Sequence, residues 1–529
     1  MSIDLRVMQI EQSMCEQSHL FFTRRFFVPR MGFKFLRNWH HALICDKLDA
    51  VMRGEIKNIV FCVPPGSGKT ELCGGNLVAH GLARNSRCRF LYLSFSNDLV
   101  VDVLATARNI VSSSEFQSMW PVELASDSSA KANWRTMENG FYAGHAYGAA
   151  LGGQITGRRA GVLGIEGFTG AIVVDDPLKP EDAFSDPMRK KTVRKLINTV
   201  TSRKAHPDVP VIMIMQRLHV DDPVGAVVKR VFPGDWEVVT IPALIDDDYI
   251  DGLDPRYQAL IDRDVPRDSK GRMSYWPAKE SLDYLNQLEK GGEDKDGAAV
   301  SRYTFGSQYM QEPVPLGGDL IKTEHFGRYQ HLPPLQYRMI WADTAQKTEE
   351  HNDYSAFLHG GVGYDGYLYL TDLVRGKWEA PALETQATAF IGKHKPVWTN
   401  SGVLRGMRVE DKVSGTGLIQ SIGRTSKVPI MPIQRNTNKL MRFMDVQGYL
   451  QVGRVFIPTD APWISDFLTE CEAFKADMTH DFDDQVDVLI DAITDIYVTP
   501  PPDPTDTQAL PDRHQSDDFE DDDDQWRDN

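Results

Sequence analysis

The sequence predicts an α/β protein of several domains whose first half is built on a mainly parallel sheet. Its 529 residues exceed one ordinary domain, so two or three domains are expected. Between residues 58 and 244, short apolar runs that suit buried strands alternate with helical stretches, as in parallel sheets covered on both faces. The composition, 41% hydrophobic and 25% charged, is ordinary for a globular protein. No stretch approaches the roughly 18 apolar residues of a membrane span, so no membrane partner is expected.

Five apolar runs are the predicted strands of this sheet. They are NIVFCV (58–63), CRFLYLSFS (88–96), AIVVDD (171–176), VPVIMIMQ (209–216) and WEVVTIPAL (236–244). The stretches KTELCGGNLVAHGLAR and NDLVVDVLATARNIVSS follow the first two runs and are predicted helices. Open parallel sheets bind ligands at the carboxyl ends of their strands. The residues that end these runs are therefore the first candidates for a functional site.

The loop after the first strand, VPPGSGKTE, has the features of a phosphate-binding loop. Gly66 and Gly68 let backbone N–H groups approach phosphate oxygens, and the following helix N-terminus adds its positive dipole end. Lys69 would reach the β- and γ-phosphates of a nucleotide, and Thr70 would hold Mg²⁺. The strict pattern G-x-x-x-x-G-K-[ST] requires glycine where this chain has Val63, so the match is incomplete. The predicted nucleotide-binding set is Pro65, Gly66, Ser67, Gly68, Lys69, Thr70, Glu71 and Gln216.

Acidic residues end the third predicted strand, AIVVDD, at the same edge of the sheet. Asp175 would hold Mg²⁺ through water, and Asp176 would orient or activate the attacking water. On the next strand, Gln216 and Arg217 would emerge beside them, where they could sense the γ-phosphate. Lys69, Asp175 and Asp176 are therefore the predicted catalytic residues of a nucleotide hydrolase.

The second half of the chain places acids at the ends of two apolar strands and at the start of a helix. Asp343 ends YRMIWAD, and a predicted hairpin and helix follow before Glu410 ends LRGMRVE. Asp484 and Asp487 open a late helix and share one face with Asp491. Hard divalent cations prefer such carboxylate oxygens. The order suits a fold that gathers carboxylates around two divalent metal ions, with Asp343, Glu410 and Asp484 as the predicted ligands and Asp487 as a further ligand or an alternative to Asp484.

The net charge of −16 is unevenly distributed. Residues 501–529 carry eleven acidic residues and two arginines, a net charge of −9, and leave −7 on the rest of the chain. This proline-rich acidic tail is predicted to be disordered. It is either a solubilising segment, or a docking segment or acidic mimic of DNA. The basic stretch 189–204 is either a solvated helix face or a contact for DNA phosphates.

Taken in order, the motifs of this chain resemble those of large terminase subunits, which package the genomes of tailed bacteriophages. The resemblance spans about residues 35–497 and rests on the ordered set of motifs, which is more specific than any one of them. The motifs are NWHHALICDKLD, VPPGSGKTE, GGQITGRRAG, AIVVDDP, MIMQRLHVDD, FGSQYMQEPVPLGGDLIK, WADTAQKTEEHNDYSA, VEDKVSGTG and HDFDDQVD. Phosphate loops of this family often depart from the strict pattern, which accommodates Val63.

The resemblance implies two domains and two activities. It implies an N-terminal P-loop packaging ATPase over residues 1–315, with an irregular connecting region at about 246–299. It implies an RNase H-like nuclease domain over residues 316–500, joined by a hinge near Gly317, before the tail at 501–529. ATP hydrolysis would drive double-stranded DNA into the procapsid, and the endonuclease would cut concatemeric DNA at the start and end of packaging. ATP and Mg²⁺ are the implied cofactors, with Mn²⁺ as a substitute at the nuclease site.

The resemblance also implies partners and further residues. Double-stranded DNA, the portal protein of the procapsid and a small terminase subunit are the expected partners, and a homo-oligomeric ring, a pentamer in this family, is expected on the portal. Arg158 and Arg159 are candidates for an arginine finger that acts on the phosphoryl group across a subunit boundary. Trp39 or His40 would lie near the adenine. The family usually has Glu where this chain has Asp176.

Two other functional classes compete with this interpretation. A helicase–nuclease of repair or restriction would normally need a second motor domain, and the sequence shows one phosphate loop. A catalytically silent structural subunit of a portal assembly would not need Lys69, Asp175, Asp343 and Glu410. The six scattered cysteines lack a C-x-x-C pair and predict neither a zinc site nor a disulfide framework. This usage suits the host cytoplasm during virion assembly, and the chain is not expected in the mature virion.

Removal of residues 501–529 should leave the fold intact, because the tail has almost no core-forming residues. We expect the shortened chain to bind duplex DNA at least as tightly as the full chain, since nine net negative charges are lost. Fluorescence anisotropy with a labelled duplex at one fixed salt concentration measures both affinities. Weaker binding by the shortened chain would show that the tail itself contributes to DNA binding.

Overall fold

The structure is a computed structural model that describes most of the chain. The described residues are 3–126, 130–153, 155, 157–292, 294–295, 300–313, 320–344, 354–397, 401–410, 428–433, 435, 439–475 and 482–499. Two large β-sheets organise them, and apolar cores lie on both faces of each sheet. The predicted tail and the predicted hinge near Gly317 lie outside the described residues.

The first sheet is mainly parallel, as predicted. Its strands are β1 (Asn58–Cys62), β2 (Arg89–Ser94), β3 (Glu123–Leu124), β4 (Asn133–Glu138), β5 (Phe141–Ala150), β6 (Ile172–Asp175), β7 (Val211–Met215) and β8 (Glu237–Thr240). Their spatial order is β3-β4-β5-β2-β6-β7-β1-β8, and every pairing from β5 to β8 is parallel. Along β1, Ile59 and Phe61 enter one core while Val60 and Cys62 enter the other. Burial on both faces explains why these strands read as continuous apolar runs.

An antiparallel edge extends this sheet beyond the predicted strands. β3 pairs with β4, and β4 pairs with β5, in antiparallel register. Asn139 and Gly140 join β4 to β5 with φ angles of 52° and 78°. Two positive φ angles at the centre of a two-residue loop are typical of the hairpin turn that Asn-Gly favours. The Asn-Gly pair is visible in the sequence, but the predicted strands did not include β4 and β5.

Helices cover the first sheet and its connections. They are α1 (Ile3–Gln17), α2 (His19–Met31), α3 (Trp39–Met52), α4 (Lys69–Cys73), α5 (Gly75–Arg84), α6 (Asn97–Ser112), α7 (Ser114–Met119), α8 (Asp186–Ser202), α9 (Pro223–Val228), α10 (Asp247–Asp251), α11 (Pro255–Gln258), α12 (Leu282–Glu289) and α13 (Arg302–Thr304). A 3₁₀ helix forms at Glu181–Phe184 and a π-helix at Phe305–Tyr309. The basic stretch 189–204 lies largely within the helix α8.

The predicted single helix over residues 69–84 is wrong, because the chain breaks at Gly74. This residue has φ −101° and ψ −110° and separates α4 from α5. A Cβ atom at Gly74 would lie 2.4 Å from the Thr70 carbonyl oxygen and 2.9 Å from Val103 Cγ1. Glycine therefore permits both the break and the close approach of α6. The break leaves α4 as one short turn that carries Lys69.

The predicted irregular region at residues 246–299 contains ordered elements where it is described. β9 (Leu244–Ile245) pairs in antiparallel register with β10 (Met273–Ser274), and α10, α11 and α12 flank them. Tyr257 and Trp276 are buried in the same core as Trp39. The region therefore packs on the first sheet, which corrects the prediction of an irregular connection.

The second sheet follows the predicted order of strand, hairpin, helix, strand and late helix. Its strands are β11 (Phe326–Tyr329), β12 (Leu335–Asp343), β13 (Ser355–Gly363), β14 (Leu368–Gly376), β15 (Val403–Glu410), β16 (Ile430–Ile433) and β17 (Val455–Pro458). Their spatial order is β11-β17-β14-β13-β12-β15-β16. β13 pairs antiparallel with β12 and β14, whereas β12, β15 and β16 are parallel neighbours.

Helices cover the two faces of this sheet unequally. They are α14 (Ala380–His394), α15 (Lys439–Gln451), α16 (Ile464–Ala473) and α17 (Asp484–Ile493), with a 3₁₀ helix at Thr323–His325 and a π-helix at Thr494–Val498. Phe443, Phe467 and Leu489 bring α15, α16 and α17 into one core. Leu383 and Phe390 bring α14 into the core on the other face. The larger core buries α17 and so determines where its acidic residues lie.

All six cysteines are buried with free thiols. Within the described ranges, no helix has the length and apolar character needed to cross a membrane.

Phe22 offers a test of how the N-terminal helices support the first sheet. Its fully buried ring lies 4.7 Å from the rings of Phe26 and His80 and 6.0 Å from Trp120. Phe22→Ala should lower the free energy of unfolding by about 3–5 kcal/mol, because it leaves a cavity among aromatic rings. Urea unfolding followed by tryptophan fluorescence measures the change. The control Phe141→Ala removes a ring that is 76% exposed and should shift stability by less than about 0.5 kcal/mol. Equal transitions for the two variants would contradict this packing.

Candidate active sites

The phosphate-binding loop joins β1 to α4 and has the backbone that its glycines allow. Gly66 and Gly68 have φ angles of 71° and 81°. A Cβ atom at Gly66 would lie 2.6 Å from Lys279 Nζ, the mobile end of a long side chain that can move aside, so the positive φ angle is the main obstacle to a larger residue. The loop then enters α4 at Lys69, whose first-turn N–H groups have no partner within the helix. The local geometry is that of an anion-binding turn.

Val63 does not disturb this loop, because glycine is not needed at its position. The residue is fully buried in the core that contains Phe61 and Leu72. The φ angle of Val63 is not positive, so its backbone conformation does not favour glycine. Val63 therefore extends the apolar strand β1, and the conformational demands of the loop begin only at Gly66.

Two histidines and a lysine support the loop from outside. The Ser67 carbonyl oxygen accepts hydrogen bonds from His40 Nε2 at 3.1 Å and His41 Nε2 at 3.2 Å. Burial lowers the pKa of His41 to about 4, so its ring is neutral. Lys279 donates to the Gly66 carbonyl oxygen. Trp39, expected near the adenine together with His40, is 2% exposed and donates to the Tyr275 carbonyl oxygen at 2.9 Å. The rings of Trp39 and His40 thus both form hydrogen bonds within the chain.

Lys69 connects the three predicted strand ends. Its Nζ donates to Asp176 at 3.2 Å and to Gln216 Oε1 at 3.1 Å, and the side chain is buried. Asp176 follows β6, and Gln216 follows the neighbouring strand β7. Asp176 has a φ angle of 42°, a strained conformation for a non-glycine residue that turns its backbone away from the strand. The predicted residues Lys69, Asp176 and Gln216 therefore meet in one cluster.

Asp175 is buried beside this cluster at the end of β6. Tyr92 donates its hydroxyl to Asp175 Oδ2 at 2.6 Å, and Thr70 lies next to the same carboxylate. Burial and the neighbouring charge of Asp176 raise the pKa of Asp175 to about 6. Its other oxygen, Oδ1, is buried and finds no hydrogen-bond partner among the described residues. An unsatisfied carboxylate oxygen beside a threonine hydroxyl fits a hard divalent cation such as Mg²⁺.

Other predicted residues have different surroundings. Arg217 donates through Nε to both oxygens of Asp222, at 3.1 and 3.0 Å, and Asp222 also caps α9. Glu71 pairs with Arg30 of α2. Arg217 and Glu71 therefore face structural partners.

The two predicted finger residues differ in exposure. Arg158 lies over the Tyr147 ring at 4.8 Å from its centre. Arg159 is exposed to solvent. Of the two, Arg159 has the side chain that a neighbouring subunit could reach directly.

In the second sheet, Asp343 and Glu410 lie at the same edge because β12 and β15 are parallel neighbours. Ala342 pairs with Val409, so the following acids emerge side by side. Asp484 and Asp487 open α17, which packs on β12 and β13. All four carboxylates are buried, with exposures between 2% and 9%. Asp343 and Glu410 are thus buried neighbours at one edge of the sheet, and Asp484 and Asp487 are buried in the helix that packs on β12 and β13.

The guanidinium of Arg435 lies among four acidic side chains, which are Asp343, Glu410, Asp487 and Asp491. Its Nη1 is 3.2 Å from Asp343 Oδ2, 2.9 Å from Glu410 Oε2 and 3.6 Å from Asp487 Oδ1. Its Nη2 is 2.6 Å from Asp491 Oδ2. The sequence analysis did not single out Arg435. It comes two residues after β16, whose Ile433 pairs with Glu410, so the strand-end position was the signal that could have found it.

Two more cations surround Asp487. Lys439 lies 2.5 Å from both Asp487 Oδ2 and Asp483 Oδ2. Arg442 lies 2.6 Å from Asp487 Oδ1 and 3.3 Å from Asp491 Oδ1. Asp484 Oδ2 accepts a hydrogen bond from the backbone N–H of Tyr354 at 3.1 Å. Asp487 is therefore the residue of the pair that shares the Arg435 guanidinium with Asp343 and Glu410.

Asp343 and Asp487 differ in the direction in which their pKa values are shifted. Burial raises the pKa of Asp343 well above its usual range, against the opposing effect of Arg435, and Asp343 also shares a hydrogen bond with Glu410. Burial would raise the pKa of Asp487 as well, but Arg435, Lys439 and Arg442 together lower it to about 2. The three cations thus favour the charged form of Asp487, whereas burial disfavours the charged form of Asp343.

The buried carboxylates of Asp343, Glu410, Asp487 and Asp491 are the kind of donor that Mg²⁺ and Mn²⁺ require. The positively charged guanidinium of Arg435 lies among them. In the part of the chain that the structure describes, no three His, Cys, Asp or Glu side chains are spaced to hold a metal ion. Guanidinium contacts of 2.9–3.2 Å keep Asp343 and Glu410 further from a central cation than the 2.0–2.1 Å of Mg²⁺ coordination. The donor chemistry fits, and the spacing is that of a bound guanidinium.

Residues 340–495 match the family model described as the terminase RNaseH-like domain. This segment is similar to the terminase RNase H-like domain. The matched segment begins within β12 and ends just after α17, so it includes Asp343, Glu410 and Asp487. The predicted fold class and the resemblance to large terminase subunits are thereby confirmed.

Solved structures of large terminases are similar to this chain. One, from a thermophilic bacteriophage, is 12% identical, with 85% of this chain and 98% of that chain covered at a TM-score of 0.49. That of bacteriophage HK97 is 12% identical, with 90% and 99% covered at 0.35. The magnesium-bound large terminase nuclease of thermophilic phage G20c is 15% identical, with 33% and 93% covered at 0.24. No curated protein sequence matches the chain.

The loop geometry separates the effect of Val63 from that of Gly66. Val63→Gly should destabilise the chain by at least about 1.5 kcal/mol, because it removes a fully buried side chain, without increasing ATP turnover. Gly66→Ala should reduce ATP turnover strongly, because alanine disfavours the positive φ angle of 71° at this position. Urea unfolding and phosphate release measure the two effects. Faster ATP turnover by Val63→Gly would show that the valine impairs the loop.

Proposed function

We propose that the chain is the motor subunit that packages viral DNA, with an ATPase in the first half and a DNA endonuclease in the terminase RNase H-like domain. Hydrolysis of ATP drives double-stranded DNA into the procapsid. The nuclease cuts concatemeric DNA at the start and end of packaging. The observation that carries the proposal is that one chain has a phosphate-loop cluster on one sheet and the terminase domain on the other.

The contacts of Lys69 suggest how its site responds to ATP. Lys69 now neutralises Asp176 and donates to Gln216. When the phosphates of ATP enter the loop, Lys69 binds their β- and γ-oxygens and releases Asp176. The freed carboxylate of Asp176 then orients the attacking water, and Gln216 is positioned to sense the γ-phosphate. Binding of ATP thus creates the base that the reaction needs.

Asp175 and Thr70 would hold Mg²⁺, whose charge would stabilise the phosphates. Tyr92 fixes the Asp175 carboxylate by donating to Oδ2, which leaves Oδ1 directed away from this bond. Burial excludes water from the carboxylate and strengthens its interaction with a cation. Tyr92 is therefore a positioning residue that the sequence analysis did not identify.

At the nuclease site, Asp343, Glu410 and Asp487, with Asp484 as the alternative, would hold divalent ions. Two such ions would stabilise the attacking and leaving oxygens of the phosphodiester. Asp343 and Glu410 supply adjacent oxygens from parallel strand ends, and α17 supplies the third carboxylate from the sheet face. Arg442 and Lys439 position Asp487 by binding its two oxygens.

The expected partners follow from this function. Double-stranded DNA carries phosphates that a basic surface attracts, and α8 supplies Lys190, Lys191 and Arg194 for such contacts, whereas Arg189 is buried against Ala183. The resemblance supports the portal protein, the small terminase subunit and a ring of five copies as further partners. In such a ring, the exposed Arg159 acts as the finger toward a neighbouring phosphoryl group. Assembly would take place in the host cytoplasm.

Lys69→Ala and Asp343→Ala test the two activities against each other. Lys69→Ala should lower ATP turnover by about a hundredfold or more, because the charge that binds the phosphates is lost. It should leave DNA cleavage largely intact, since the two sites lie on different sheets. Asp343→Ala should have the reverse effect. Phosphate release and plasmid cleavage in Mn²⁺ measure both activities on each full-length variant.

Each variant is the other's control for folding, because each keeps one activity. Normal ATP turnover by Lys69→Ala would remove the loop from its assigned role. Cleavage at the wild-type rate by Asp343→Ala would mean that the nuclease site lies elsewhere.

A further inference from the structure

The Arg435 side chain is 6% exposed, although it follows a strand at the edge of the second sheet. Its guanidinium touches carboxylates from three elements: Asp343 of β12, Glu410 of β15, and Asp487 and Asp491 of α17. Burial of a charged group in this way is costly unless its charge is compensated. The four carboxylates compensate it, and Arg435 in turn compensates them.

We propose that Arg435 is a resident cation of the nuclease site that divalent metal ions must displace, so that it determines the metal dependence of cleavage. This inference rests on the proposed nuclease function. The chemistry of the proposed ATPase and of the proposed nuclease does not itself require Arg435, so this role is an additional one. The chain would therefore exist in two states, one with Arg435 among the carboxylates and one with metal ions there.

The two states exclude each other because they use the same oxygens. Arg435 Nη1 contacts Asp343 Oδ2, Glu410 Oε2 and Asp487 Oδ1, and these three side chains are the ones that would hold a divalent ion. A divalent ion requires these oxygens at about 2.0–2.1 Å, with no donor group between them. A guanidinium beside that ion would also repel it at short range. Metal binding therefore requires Arg435 to leave.

The departure of Arg435 leaves Asp491 compensated. Arg442 already contacts both Asp491 and Asp487, at 3.3 and 2.6 Å, and Lys439 also contacts Asp487. Asp343 and Glu410 lose the Arg435 contact and gain the metal ion instead. The exchange would thus replace the single positive charge of Arg435 by a divalent ion beside Asp343 and Glu410.

A packaging motor needs such control over cutting. A chain that hydrolyses ATP on DNA must not cut that DNA continuously. With Arg435 in place, cleavage requires enough metal to expel a buried, multiply paired guanidinium. The nuclease is thus inactive until metal ions displace Arg435.

The direct test is Mn²⁺ binding to the full-length chain without nucleotide, measured by isothermal titration calorimetry. Arg435→Gln should bind Mn²⁺ at least about tenfold more tightly than the wild type, because a competing charge in contact with the site is gone. Arg442→Gln is the matched control, since it removes an equal charge that contacts Asp487 and Asp491, and its effect should be smaller. Asp343→Asn should weaken binding. Equal affinities for Arg435→Gln and the wild type would overturn the proposal.

A second measurement uses the wild-type chain and does not depend on how Arg435→Gln folds. Phenylglyoxal modifies accessible arginines, and peptide mass spectrometry locates them. Arg435 should be protected in EDTA and modified at least severalfold more in saturating Mn²⁺. Arg338, which is fully buried and donates to the His394 carbonyl oxygen, should stay protected in both. Protection of Arg435 that does not change with Mn²⁺ would overturn the exchange.

The outcomes also separate this inference from the proposed nuclease. If Mn²⁺ binds in a manner that depends on Asp343, while Arg435→Gln has no effect, the nuclease site stands and the role of Arg435 fails. If no variant shows Mn²⁺ binding that depends on Asp343, the metal site itself is misplaced, and the exchange fails with it.

Discussion

Parallel neighbouring strands present their carboxyl ends at one edge of a sheet, and both candidate sites depend on this constraint. In the first sheet it brings Asp176 and Gln216 within reach of Lys69. In the second sheet it places Asp343 beside Glu410. The central strands are mostly buried, and the acids lie where these strands end, with Asp175, Asp343 and Glu410 still buried themselves. The same strands that form the cores therefore gather the charged groups.

The gathered acids need compensation, and each site has its own cation for this purpose. Lys69 begins the helix after β1 and neutralises Asp176, while Arg435 follows β16 and lies among four carboxylates. Buried carboxylates without partners would take up protons or open to water. The resident cation keeps each site assembled before its substrate or metal arrives. In the mechanism proposed above, this cation changes partners on activation: Lys69 moves from a carboxylate to ATP, and Arg435 leaves its cluster.

Much of this arrangement could be predicted from the sequence, because strand ends are visible in apolar periodicity. Asp343 and Glu410 follow clear apolar runs and were predicted correctly in position. Arg435 was missed because the short strand before it, IMPI, contains proline and has little strand character, and because its contacts arise across the sheet. The break at Gly74 was missed since a glycine pair within a helical pattern does not by itself show where the helix ends. Tyr92 was missed because a tyrosine in an apolar run is usually read as core.

The central claim is that ATP hydrolysis by this chain drives DNA into a capsid, and a packaging assay tests it most directly. Purified chain, ATP and linear duplex DNA are mixed with purified procapsids that carry their portal, and DNA resistant to added nuclease is measured. We expect protected DNA that requires ATP and increases with time. ATP turnover without protected DNA, in the presence of a small terminase subunit and competent procapsids, would contradict the assignment of this chain as a packaging motor.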